Sequence, residues 1–131
     1  MGEEALVESQ ISDSIALIKR LEDDGDKPST AIWYYFADVD EWRLLLAGQT
    51  FDALLPQDER RAYQKIAEAL SKAKLSSLNI GEVKLVRTDY PLLNVTRQLV
   101  KTSTDALIRA HFKDTSLNGT FIKEMLILRS S

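Results

Sequence analysis

Glu82-Val83-Lys84 is the one tripeptide in this chain with a catalytic cast. On a strand, residues i and i+2 share a face, so the carboxylate and the ammonium would project together. A metal-dependent nuclease of the PD-(D/E)xK type needs that pair plus an upstream aspartate. There the carboxylates hold Mg²⁺ through oxygen ligands, while the lysine positions or activates the attacking water. Asp38, Asp40 and Asp52 stand upstream. Against this reading, about 40 residues and a predicted helix separate Asp40 from Glu82, and no Pro-Asp dipeptide occurs. A charged, solvated strand face explains the motif more economically.

Three other groups invite chemistry. Asp38, Asp40 and Glu41 crowd a predicted hairpin tip, where carboxylates could hold a hard cation weakly, although turn chemistry alone accounts for aspartates there. No motif defines a metal site. His111 shares a strand face with Arg109 and lies diagonal to Glu124 across a predicted hairpin, which would suit a general acid–base pair. No nucleophile accompanies it, so a structural histidine is the plainer reading. Trp33, Tyr34, Tyr35 and Trp42, with Arg43 among them, could line a ligand site or a stacking surface. Core and interface packing is the commoner use of such residues.

Composition removes most other classes. The chain has 131 residues, 44% of them hydrophobic and 28% charged, which fits a single globular domain spanning 1–131. With no cysteine and one histidine, a disulfide framework, a thiolate nucleophile and a histidine-rich metal site are absent. The five glycines are too scattered for GxGxxG, for a P-loop or for a nucleophile elbow, so no cofactor is expected. No apolar run reaches the roughly 18–20 residues of a spanning helix. The acidic Met1-Gly2-Glu3-Glu4 start is unlike a signal peptide, so the expected compartment is the cytoplasm.

These groups need elements to position them. Val7, Ile11, Ile15, Ile18 and Leu21 recur at helical spacing, which predicts a helix over about 3–24, with Gly25 as the left-handed residue beyond its end. The runs 30–37 and 42–47 predict two strands joined by the loop 38–41, placing Ala37 opposite Trp42, Tyr35 opposite Leu44 and Trp33 opposite Leu46. Both faces of that hairpin are apolar, so both should be covered, by helices or by a partner. Pro56 reads as the first residue of a second helix, 80–87 as a strand, and Pro91 as the start of a short third helix.

Asn118-Gly119 predicts a type I′ hairpin turn. Closure there places Leu117 opposite Thr120, Asp114 opposite Lys123, Lys113 opposite Glu124, Phe112 opposite Met125 and Ala110 opposite Ile127. The pairs match in charge or apolarity, and a slip of one residue would lose them all. The element order is therefore α-β-β-α-β-α-β-β. The class is α+β, a mixed or mostly antiparallel five-stranded sheet with helices packed on it.

The run Trp42-Arg43-Leu44-Leu45-Leu46-Ala47 after an aromatic strand, and the closing Asn118-Gly119-Thr120-Phe121-Ile122-Lys123-Glu124, resemble a group of small bacterial proteins with no assigned activity. That resemblance implies a bacterial, cytoplasmic protein and names no ligand. Charge is uneven: residues 1–59 carry 14 acids and 4 bases, whereas residues 60–131 carry 13 bases and 6 acids. Either the halves fold against each other and interleave, or a basic face or a self-complementary dimer results. The expected function is a small non-catalytic binding or assembly module, self-associating as a homodimer, with Trp33, Tyr35, Trp42, Arg43 and Arg109 as binding candidates. Its alternatives are the nuclease using Glu82 and Lys84, with Asp38 or Asp40, and a nucleic-acid-binding module acting through the basic second half.

Overall fold

Alternation along the segment Thr30–Phe36, strand β1, sends Ala31, Trp33 and Tyr35 to one side and Ile32, Tyr34 and Phe36 to the other. In the computed structural model, which describes residues 6–131, this strand is the centre of the sheet. Helix α1 (Glu8–Asp23) precedes it. Strand β2 (Glu41–Ala47), helices α2 (Gln49–Leu54) and α3 (Glu59–Lys72), strand β3 (Val83–Leu85), helix α4 (Pro91–Leu99) and strands β4 (Ala110–Leu117) and β5 (Thr120–Ser130) follow. The sheet order is β3-β2-β1-β5-β4, with β2 and β3 parallel and every other pair antiparallel. The class is thus α+β around a mixed five-stranded sheet. No helix among the described residues is long and apolar enough to cross a membrane.

The two faces carry separate cores. On the first, Leu17, Ile18 and Leu21 of α1 and Ala62, Ile66 and Ala69 of α3 close over Trp33, Leu44 and Leu46. The Trp33 indole is fully buried, and its Nε1–H donates to Ser14 Oγ at 2.7 Å. On the second face, Leu93 of the nine-residue α4 packs against Ile32, Leu45, Met125 and Ile127. Tyr34, Phe36, Tyr90, Leu92 and Val95 there stay only partly buried.

Several sequence expectations need correction. Helix α1 begins at Glu8: Val7 is extended and caps it, its N–H donating to the Gln10 side chain at 3.2 Å. Residues 3–5 of the predicted span lie outside the described residues. Its end is as expected, with Gly25 at φ 84°. Asp24 there is satisfied locally, accepting from Arg20 at 2.8 Å. That guanidinium holds the Asp24 carboxyl below the usual carboxylate range.

Pro56 does not open the second long helix. A short extra helix, α2, follows β2, because Phe51 folds back to plug the first core and is fully buried. The next helix starts two residues beyond Gln57, where the Asp58 side chain accepts from Arg61 N–H at 3.3 Å. The element order therefore gains a helix over the expected one. Residues 80–87 are not one strand either. Ile80–Glu82 forms a 3₁₀ turn, and only Val83–Leu85 joins the sheet.

In the first hairpin Tyr35 opposes Trp42 and Trp33 opposes Leu44, so the loop is 37–40, one residue earlier than expected. Every pair shifts by two positions, yet each side chain keeps its face because the strand period is two. The C-terminal hairpin has the expected register at Ala110–Ile127, Phe112–Met125, Lys113–Glu124 and Leu117–Thr120. Asn118 and Gly119 take φ of 51° and 80°, the left-handed pair a type I′ turn requires. Asp114 and Lys123 do not join the ladder, since Asp114 has φ 48°, but their side chains still meet at 3.4 Å.

The charge halves interleave. Asp26, Asp24, Glu8 and Glu22 pair with Lys65, Lys72, Arg109 and Arg129 across the sequence midpoint.

Candidate functional site

The candidates read from sequence fall into separate places. Glu82 precedes β3, so it does not share a strand face with Lys84. Its carboxylate accepts from Asn79 N–H at 3.1 Å and from Gln10 Nε2 at 2.7 Å, closing the 3₁₀ turn and tying it to α1. Lys84 is exposed on the outer strand. Asp40 and Glu82 border one cleft, whereas Asp38 and Lys84 border another. Asp52 is engaged elsewhere, accepting from Thr88 N–H at 2.8 Å. Among the described residues no three histidine, aspartate or glutamate side chains come together as a metal-holding group. The constellation a nuclease needs is divided.

His111 does reach Glu124, with Nε2 at 2.6 Å from Oε2, as its diagonal register requires. The pair flanks an apolar cleft beside Leu6, Ile11 and Trp42. Arg109 lies just before β4 and is turned to Glu8 at 2.8 Å, and that guanidinium holds the Glu8 carboxyl below its usual range.

The aromatic candidates divide by face. Trp33 is a core residue with no exposed surface, which removes it as a ligand contact. Tyr35, nearly buried, stacks at a tilt on Trp42 with centroids 5.6 Å apart, and its hydroxyl donates to Asp40. Arg43 is occupied by Glu41 at 2.6 Å and the Gly81 carbonyl at 3.0 Å.

The alternate residues of β1 line the larger opening. A cavity of about 470 Å³ lies between the end of β1, the start of α4 and the start of β5. Tyr34, Phe36, Tyr90 and Phe121 supply aromatic walls, and Asp38 and Lys123 reach its border. Its size falls within the range of small-molecule sites, roughly 300–1,000 Å³, and its lining is of the usual kind: apolar, with a few polar groups. Tyr34 and Phe36 meet edge to face, centroids 4.8 Å apart at 71°. Burial foremost, then the Tyr90 hydroxyl and the Asp38 carboxylate, push the Tyr34 hydroxyl above its usual range. These three polar groups therefore share one neighbourhood. Phe121 stays 57% exposed at the mouth.

Sequence reasoning weighed Tyr34 but passed over Phe36, Tyr90 and Phe121 as site residues. Phe121 had a legible signal, being a large aromatic one residue past a hairpin turn, where a polar residue would serve. Tyr90 had none, because its neighbour Pro91 marks only a helix start. Comparison with protein-family models, with curated proteins and with solved structures finds no match for this chain.

Proposed function

We propose that this chain is a non-catalytic binding module whose ligand site is the aromatic cleft between β1, α4 and β5. The observation that carries this reading is the wall of Tyr34, Phe36, Tyr90 and Phe121 around about 470 Å³ of space. Aromatic side chains left partly open on an otherwise closed sheet are exposed apolar surface, which a protein keeps where something binds. The candidate acids and bases Glu82, Lys84 and His111 all lie outside this cleft, and Asp38 alone of that set borders it. The self-association expected from the two-sided hairpin has less to rest on, since α1, α3 and α4 of the same chain cover both of its faces.

The test is a screen of small aromatic and aliphatic compounds, both neutral and cationic, followed through the tyrosine and phenylalanine ring resonances of the protein. Shifts confined to Tyr34, Phe36, Tyr90 and Phe121, and lost in Phe121→Ala, are expected. Shifts that gather instead around Trp42 and His111, or no shifts from any compound, overturn the assignment.

A further inference from the structure

We infer that the ligand of the aromatic cleft is a small organic ammonium cation, held by the faces of Tyr34, Phe36, Tyr90 and Phe121 against the carboxylate of Asp38. This inference rests on the binding reading above and specifies its chemistry. Aromatic rings present negative faces, so a cation within about 6 Å of several ring centroids is attracted by each, most strongly where water is displaced. The edge-to-face arrangement of Tyr34 and Phe36 sets two ring planes at 71°, the corner of a box. Tyr90 and Phe121 come from the start of α4 and the start of β5, and add walls from other directions.

The polar groups select the charge. Asp38, the acid of the first hairpin that borders this cleft, has no hydrogen-bond or ion-pair partner among the described residues, whereas the two acids that follow it outside the cleft are engaged: Asp40 by Tyr35 and Glu41 by Arg43. A partnerless carboxylate at the end of an aromatic box is what a positively charged guest requires. Lys123, the one cation on the border among the described residues, is turned to Asp114 at 3.4 Å and so does little to cancel Asp38. The Tyr34 hydroxyl, raised first by burial and then by Tyr90, feels Asp38 only as the last of its three causes. A neutral aromatic guest would fill the same walls and leave Asp38 without a use, and an anion would meet it directly.

Choline and tetramethylammonium are the probes, with the neutral carbon analogue of choline, in which carbon replaces the quaternary nitrogen, as the control of equal shape. Titrations read at the Tyr34, Tyr90 and Phe121 resonances should show choline binding about tenfold tighter than its neutral analogue, a difference of about 1.4 kcal/mol from the attraction of the cation to the ring faces. Asp38→Asn, an exposed turn position that leaves the fold intact, should weaken choline about fivefold and leave the neutral analogue unchanged. Lys123→Gln should tighten choline modestly by removing a like charge. If the neutral analogue binds as well as choline, or if Asp38→Asn leaves choline undiminished, the cation assignment is overturned while the binding cleft stands. If choline, its analogue and every compound of the screen leave the cleft resonances unmoved, both assignments fall together.

Discussion

Trp33 and Tyr34 are neighbours in the chain and belong to two differently finished faces of one sheet. The Trp33 face is closed by two long helices and the short α2, and its largest side chain has no exposed surface and a satisfied indole N–H. The Tyr34 face is closed by nine residues of α4, and its aromatics remain partly open. Strand alternation delivers apolar residues equally to both sides, so the contrast arises from how much helix the chain lays over each. A closed face contributes stability, and a thinly covered one leaves room for a guest.

If that division holds, damage to the first face should be read in stability. Trp33→Ala removes a fully buried indole together with its bond to Ser14. It should cost about 3–5 kcal/mol in urea unfolding, the usual range for an aromatic lost from a core. A cost below about 1 kcal/mol would mean the first face is not the closed one.

Arg129 sharpens the same side. Its buried guanidinium donates to the carbonyls of Ala106, Pro28 and Asp105 and pairs with Glu22 of α1 at 2.7 Å. Arg129→Met keeps the volume but leaves these acceptors without a donor, and should cost about 2–4 kcal/mol. Combining it with Glu22→Gln should recover part of that loss, because the carboxylate no longer needs a counter-charge. An additive double variant would show that the pair is not coupled.

How much of this was legible in the sequence depends on the range of the interaction. The C-terminal register followed from Asn118-Gly119, because a type I′ turn needs two adjacent residues at positive φ and those two accept it. The first hairpin lacks such a pair. From sequence its loop reads one residue late, since Asp38, Asp40 and Glu41 are all turn-type residues although Glu41 opens β2. Helix α2 was invisible to periodicity: six residues are fewer than two turns, and what holds them is Phe51 entering a core built elsewhere. The cleft was illegible for the same reason. Its walls come from residues near 34–38, 90–95 and 120–123, which only the β1–β5 pairing and the docking of α4 bring together. Glu82 and Lys84 illustrate the reverse, a motif close in sequence that a 3₁₀ turn separates in space.

The second face should answer in binding and hardly at all in stability. Phe121→Ala removes a ring that is 57% exposed, so the unfolding midpoint should move by no more than about 0.5 kcal/mol while the affinity of a cleft ligand falls severalfold. A stability loss as large as that of Trp33→Ala would erase the distinction between the faces.

The smallest expected effect is the most direct probe of the cleft itself. Tyr34 holds its proton to higher pH in the folded protein than in the unfolded chain, because burial, the Tyr90 hydroxyl and the Asp38 carboxylate all disfavour a phenolate there. For such a group the stabilising contribution is complete below the unfolded value of about 10 and is lost as pH rises through the folded one. A titration followed by phenolate absorbance should therefore show the Tyr34 hydroxyl ionising at higher pH in the folded protein than in the unfolded chain. Asp38→Asn removes one of the three causes, so that titration should move down toward the ordinary value without reaching it, burial being the largest cause. A bound ammonium ion should move it in the same direction, since a positive charge favours the phenolate. If neither change moves it, Asp38 does not face the Tyr34 hydroxyl, and the open face is an apolar surface without the charge that would select its guest.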